Sequence, residues 1–193
     1  MSQRRLHIVR HGQYISTVEP LTEPDGPLTP LGRQQAAATG QRLAQLPIGV
    51  IHHSTLQRAT EMAQIIAAHF AGVELRPSAL LRECIPCVPA GFEPHFAHIP
   101  VPAITQGPLQ AAQVYEHYFT SPGEEDQQEI IVSSGNLIGY FVGRMLDAPV
   151  TAWLHMDLQH GALTEVLLGP PRGRLLVRYN DVGHLPASWQ TFQ

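Results

Sequence analysis

The chain has 193 residues, 44% of them hydrophobic and 15% charged, with a formal net charge of -4. That length and composition suit one folded domain with a sizeable core and exclude a disordered chain. The slight acidity and the lack of a long basic run exclude duplex nucleic acid or an anionic membrane as the main partner. No window reaches the roughly 18 apolar residues of a membrane-spanning helix. The opening "MSQRRLHIVRHG" has no apolar region of a secretory signal. The expected setting is the cytoplasm.

In chain order, "LHIV" (6–9) is a short apolar run that reads as a buried strand stopping at Arg10. The loop "LTEPDGPLTP" follows, and Thr29 reads as an N-cap with Pro30 at the first helical position. An alanine-rich helix continues from there through "LGRQQAAATGQRLAQL". "GVIHHS" (49–54) is a second strand, with Ser54 or Thr55 as cap of the helix "LQRATEMAQIIAAHF". "VELRPS" is a third strand. Residues 84–108 form a proline-rich insertion without a clear period, expected to be a loop forming a pocket wall. Helical spacing resumes at "LQAAQVYEHYFT". "EIIVSS" is a fourth strand, and "NLIGYFVGRML" the helix after it. "ALTEVLLG" and "GRLLVRYN" pair as a hairpin across "PPRG". Alternating strands and helices predict an α/β fold. The architecture is a single three-layer α/β/α sandwich over 1–193, with a mostly parallel sheet and a late antiparallel hairpin.

In such sheets the site lies beyond the carboxyl ends of the strands, where "RHG", "HSTLQR" and "SSGN" all fall. Arg10 and Arg58, the latter in the first turn of its helix, supply donors and positive potential for a phosphate. A neutral imidazole at His11 in that cradle can attack phosphorus and form a phosphohistidine. The leaving group then needs a proton, and Glu83 is placed to supply it. No P-loop, dinucleotide or zincin motif is present. Cys84 and Cys87, with His95 and His98 nearby, admit a weaker metal-binding reading. No second C-x-x-C completes a zinc set, and two plain loop thiols in a reducing compartment are the simpler reading.

The order "IVRHGQY", "LTPLGRQQA", "HSTLQRATEMAQII", "LLRE" and the tail "NDVGHLP" resembles the histidine phosphatase superfamily, with its phosphoglycerate-mutase-like fold. The similarity runs from about residue 6 to residue 186. Within it, "RHGQY", "LLRE" and "WLHMDLQHGALTEVLL" are most similar to the small Ser/Thr protein phosphatase branch. The resemblance implies a metal-independent, cofactor-free phosphomonoester hydrolase acting on a phosphorylated small molecule or phosphoprotein. It implies that His11 is the nucleophile, that Arg10, Arg58 and Gly135 hold phosphate, and that Glu83 is the proton donor. Gln13, Thr17 and His53 are implied as possible rim residues. Mutase activity is disfavoured, because Gln13 and Thr17 stand where mutases carry an acid and an asparagine.

One position departs from the family. The second catalytic histidine is expected in the turn "SSGN", where Ser134 stands instead. Serine is shorter and uncharged and cannot supply an imidazolium. Losing one transition-state donor costs on the order of 10²–10³ in rate. Two origins are open: a natural loss, leaving a weak enzyme or a non-catalytic pseudophosphatase that binds a phospholigand or phosphoprotein, or an engineered His→Ser change. His53, His160 and His184 are the remaining histidines near motifs, each read as structural or rim-lining.

Overall fold

The computed structural model describes residues 2–16 and 25–192. Thr17 lies outside the described residues. The fold is organised by apolar runs that cannot be satisfied on one face. In β4 (Gln127–Ser133), Ile130, Ile131 and Val132 are all fully buried. Successive side chains point to opposite faces, so such a run needs cover on both. Ile131 joins one core cluster, with Leu6 and Ile8 of β1 (Arg4–Arg10), while Ile130 and Val132 join the other with Val9.

The two layers of helix follow the same division. α1 (Pro30–Leu43) and α2 (Gln57–Ala67) contribute Ala36, Leu43, Met62 and Ile66 to the second cluster. α3 (Val101–Tyr118) and α4 (Gly135–Met145) contribute Val114, Tyr115, Leu137 and Phe141 to the first. Between them lies a six-stranded sheet of order β3-β2-β4-β1-β5-β6. β2 is Val50–Ser54, β3 Glu74–Ser78, β5 Leu163–Gly169 and β6 Gly173–Asp181. β1 to β4 run parallel, while β5 is antiparallel to both neighbours, β1 and β6. This is the three-layer α/β sandwich with a late antiparallel hairpin expected from the sequence. Pro77 is tolerated because β3 is an edge strand.

Two local expectations are corrected. The N-cap of α2 is Leu56 rather than Ser54 or Thr55. Ser54 Oγ accepts from Leu56 N at 3.2 Å, and the carboxylate of Asp25, far away in sequence, accepts from Gln57 N at 3.0 Å. One donor at that helix start is thus met from within the motif and the next from a distant loop. The insertion 84–108 is also not all loop, because α3 begins at Val101. Pro102 falls in its first turn, where no backbone donor is required, and the helix continues through Pro108. Gly107 lets it lie against the chain, since a Cβ there would meet the Ile85 carbonyl oxygen at 2.3 Å.

The end of β1 is held to α1 by a second close approach. A Cβ at Gly32 would lie 2.0 Å from the Gln13 carbonyl oxygen, and one at Gly12 would lie 2.7 Å from the Gly32 oxygen. The N-cap Thr29 donates to Gln13 Oε1 at 2.8 Å and accepts from Gly32 N at 2.9 Å. Gln13 N in turn donates to Gln35 Oε1 at 2.8 Å. Gly32→Ala is therefore expected to destabilise the fold by about 1–3 kcal/mol, the usual cost of overpacking. A urea unfolding curve checks this, and an unchanged midpoint would show that the two segments can separate without cost.

Candidate active site

Four chain segments meet beyond the carboxyl ends of the parallel strands. β1 delivers Arg10 and His11, and α2 delivers Arg58 from its first turn. The turn after β3 delivers Glu83, and the β4–α4 turn delivers Ser134, Gly135 and Asn136. They surround a cavity of about 320 Å³ lined by Arg10, Tyr14, Arg58, Glu83, Gly135 and Asn136. Ile85, Ile99 and Met156 form its apolar wall, and Asp157 stands at its rim. Two of these wall residues, Ile85 and Ile99, come from the 84–108 insertion.

His11 is fully buried beside Arg10 and Arg58. Its Nδ1 lies 2.9 Å from the Gly12 carbonyl oxygen, so Nδ1 carries the proton and donates it. Nε2 then keeps its lone pair, and it accepts from Arg58 Nε at 3.0 Å. Burial, then the charges of Arg58 and Arg10, hold the His11 pKa well below the ordinary 6.5. The ring is a neutral imidazole at neutral pH, the form that attacks an electrophile. Tyr14 packs edge-on against it with ring centres 5.2 Å apart, and the Arg58 guanidinium lies 4.5 Å from the centre of the Tyr14 ring.

The arginines are held by different devices. Arg58 is 2% exposed and reaches Asp25 at 3.4 Å. Arg10, 3% exposed, donates through one amino nitrogen to the Leu158 carbonyl, and the same nitrogen is 3.8 Å from Asp157. Burial lowers its pKa, and Glu83 and Asp157 oppose that shift. Arg10 Nε and Ser134 Oγ are buried without a hydrogen-bond partner among the described residues. Ser134 is the N-cap of α4, yet its hydroxyl makes no capping bond. A serine in that place normally spends its oxygen on the helix start. Here both the hydroxyl and the first amides of α4 remain available to an anion. A Cβ at Gly135 would sit 3.5 Å from Arg10 Nε, so glycine keeps that approach open.

Glu83 is positioned indirectly. Ser133 Oγ donates to the Leu81 carbonyl at 2.9 Å, tying the end of β4 to the turn that carries Glu83. Gln110 of α3 donates to the Leu80 and Arg82 carbonyls at 3.0 and 2.9 Å. Of the proposed rim, Gln13 buttresses α1 through Thr29 and Gln35. His53 is buried on β2 with Nδ1 2.9 Å from the Ser54 carbonyl oxygen. Neither lines the cavity. Among the described residues no three His, Cys, Asp or Glu side chains gather as metal ligands. Cys87 instead sits 3.3 Å from Trp153 Nε1, and His95 packs on Phe96. His95, His98, Phe96 and Trp153 line a neighbouring cavity of about 530 Å³, which shares Ile85, Ile99, Asn136, Met156 and Asp157 with the first.

Tyr14, Asp25, Asp157 and His160 were not assigned to the site by sequence. Tyr14 was within reach, lying in the quoted "RHGQY", and His160 was read as structural or rim-lining; Asp25 and Asp157 have no local signature. His160 is 2% exposed, and its ring centre is 5.8 Å from that of His11. Burial, then Arg10, lowers its pKa from 6.5 to about 3. Because the folded state disfavours protonation of His11 and His160, the unfolded chain binds more protons below the ordinary value. Stability is then fully present above about 6.5 and declines as the pH falls toward about 3. Urea unfolding at a series of acidic pH values should give midpoints that fall with pH. His160→Asn should flatten that slope; an unaltered slope would mean that His160 takes no part in the acid sensitivity.

Comparison with known proteins agrees with this geometry. A family model described as "Histidine phosphatase superfamily (branch 1)" matches residues 6–86. The mouse mitochondrial serine/threonine-protein phosphatase PGAM5 is 37% identical over 95% of this chain, which spans 64% of that protein's length. The Xenopus laevis protein of the same name is also 37% identical, with 95% of this chain and 67% of that protein covered. Among solved structures, a phosphoglycerate mutase from Plasmodium falciparum is 28% identical, with a TM-score of 0.65, covering 97% of this chain and 96% of its own. Bacillus stearothermophilus YhfR, at 23% identity and a TM-score of 0.70 over 94% and 98%, shares the fold. The cytoplasmic expectation is corrected by these matches: the curated relatives are named as mitochondrial. With two thirds of a 37%-identical relative covered and the family's motifs gathered round one cavity, the chain belongs to the histidine phosphatase superfamily.

Proposed function

We propose that this protein is a phosphomonoester hydrolase scaffold that works through a phosphohistidine at His11, and that Ser134 strongly impairs its turnover. The observation that carries this reading is the His11 ring itself. It is fully buried and neutral, with its Nε2 lone pair directed at Arg58 and two arginines lining the cavity. In the empty pocket that lone pair is occupied by the Arg58 N–H. A phosphoryl group entering the cradle offers Arg58 charged oxygens, a stronger acceptor than imidazole. Arg58 turns to them, and Nε2 is released at the phosphorus.

The reaction then balances in two steps. Nε2 forms the N–P bond as the P–O ester bond breaks, and Glu83 as carboxylic acid gives its proton to the departing oxygen. Water next attacks phosphorus, its proton returns to the Glu83 carboxylate, and the N–P bond breaks to release phosphate. Arg10, Arg58, Gly135 and the start of α4 bear the charge on the phosphoryl oxygens. No metal or cofactor is required by this scheme.

The substrate class we favour is a phosphorylated serine or threonine of a polypeptide. The neighbouring 530 Å³ cavity, with Phe96, Trp153, His95 and His98, extends the pocket beyond what a phosphate alone fills. The relatives are named as serine/threonine-protein phosphatases. A mutase is disfavoured by Gln13, which buttresses α1 where the mutases carry an acid. The second reading is a non-catalytic module that binds a phospholigand or phosphoprotein, favoured by Ser134 alone.

Restoring the imidazole separates the two. Ser134→His should raise turnover of a generic aryl phosphate by about 10²–10³, and adding His11→Ala should abolish it. Steady-state assay with phosphate release as the signal measures both. A revertant that gains nothing would favour the binding module.

A further inference from the structure

The turn that carries His160 is bonded to the Arg10–His11 pair more closely than the sequence separation suggests. Arg10 N donates to the Ala162 carbonyl at 3.1 Å, and Gly161 N donates back to the Arg10 and His11 carbonyls at 3.1 and 3.3 Å. Gly161 makes this possible with φ of +74°, a conformation that favours glycine. Arg10 also donates from its guanidinium to the Leu158 carbonyl, on the other side of the same turn. His160 is therefore fixed relative to the nucleophile by main-chain bonds.

The ring is fixed as well. His160 Nδ1 lies 2.9 Å from Thr191 Oγ1, and Thr191 accepts from Gln35 Nε2 at 3.1 Å. His160 Nε2 is buried without a hydrogen-bond partner among the described residues. A structural histidine normally has both nitrogens satisfied when buried. His184 also has one bare nitrogen, but its charged neighbours are Asp181 and Arg42, outside the pocket. Those of His160 are Arg10 and Arg58. The bare nitrogen belongs to a ring 5.8 Å from the His11 ring and within the field of both phosphate arginines.

Ser134 leaves the same pocket short of one imidazole. We propose that His160 supplies it from beside His11: as a phosphoryl dianion enters, His160 Nε2 takes a proton from solvent and donates it in a hydrogen bond to a phosphoryl oxygen. The inference rests on the phosphatase-pocket reading above. In the empty site, burial and the two arginines keep the ring neutral. The dianion brings two opposite charges into that space, and an opposite charge within about 4–6 Å favours the charged form. Ligand entry thereby reverses the field that suppresses protonation. The other groups facing the ring, His11 from the end of β1 and Thr191 from the C-terminal segment, bring no negative charge of their own.

Tungstate is a suitable probe, being a tetrahedral dianion that does not itself titrate near neutral pH. Its binding to the intact protein is followed by calorimetry in two buffers of different ionisation enthalpy, which counts the protons taken up. Wild type should bind with proton uptake, and Arg10→Ala should abolish binding. His160→Asn should weaken binding about tenfold or more, the usual size for a hydrogen bond to a charged group, and should remove the uptake. His160→Gln, which can still reach Thr191, serves where the Asn variant does not fold. A purely structural role would leave the proton count unchanged. Unchanged affinity and uptake in a folded His160 variant, with Arg10 still essential, would overturn this inference and leave the phosphatase pocket standing. Binding that is absent from wild type, or indifferent to Arg10→Ala, would overturn both.

Discussion

Two guanidinium groups and one imidazole are buried together beyond the carboxyl ends of parallel strands, and the pocket depends on that crowding. Like charges in a desolvated space repel strongly, and burial alone is costly for each. The fold meets this cost with groups drawn from distant places: Asp25 for Arg58, and the Leu158 carbonyl with Asp157 at the rim for Arg10. Burial first, and then the positive potential left over, keeps His11 unprotonated, and that potential makes the cavity attractive to an anion. In the proposed reaction the same surroundings prepare the nucleophile and select its substrate.

Precision in that arrangement comes from backbone contacts that only glycine permits. Gly12 and Gly32 bring the loop after β1 onto the start of α1, while Gly107 brings α3 onto the chain beside Ile85. Through Gln110 and Ser133 the turn carrying Glu83 is tied to α3 on one side and β4 on the other. Glu83 is therefore positioned by packing through its neighbours in the turn. The neighbouring cavity shares its wall, so in the proposed reaction the surface that would grip a larger substrate is continuous with the turn carrying Glu83.

What could be read from the sequence was what local pattern encodes. The doubly buried run of β4, the Thr29–Pro30 helix start and the motifs at strand ends are all short-range signals, and the strands, α1 and the cavity-lining Arg10, Arg58 and Glu83 fell where they indicated. Long-range partners were not legible. Asp25 reaches the start of α2 across more than thirty residues, with no spacing rule to announce it. The start of α3 was concealed because Pro100, Pro102 and Pro108 read as loop formers, although a proline in the first turn is harmless to a helix. His160 was read as structural or rim-lining because only the folded chain places its ring beside His11.

Capture and turnover are separable in a pocket of this kind. In the proposed reaction Arg10 and Arg58 hold phosphoryl oxygens in the ground state as well as in the transition state, so they favour binding without by themselves lowering the chemical barrier. A donor that strengthens as charge develops is what accelerates the step, and an imidazolium does this where a serine hydroxyl cannot. With Ser134 the ground-state contacts survive: both arginines, the open start of α4 and a buried hydroxyl with no partner among the described residues. Binding should therefore outlast catalysis in this chain unless a second imidazole takes up the missing work. The role proposed for His160 decides between those two, because its bare ring nitrogen lies in the field that an entering dianion would reverse.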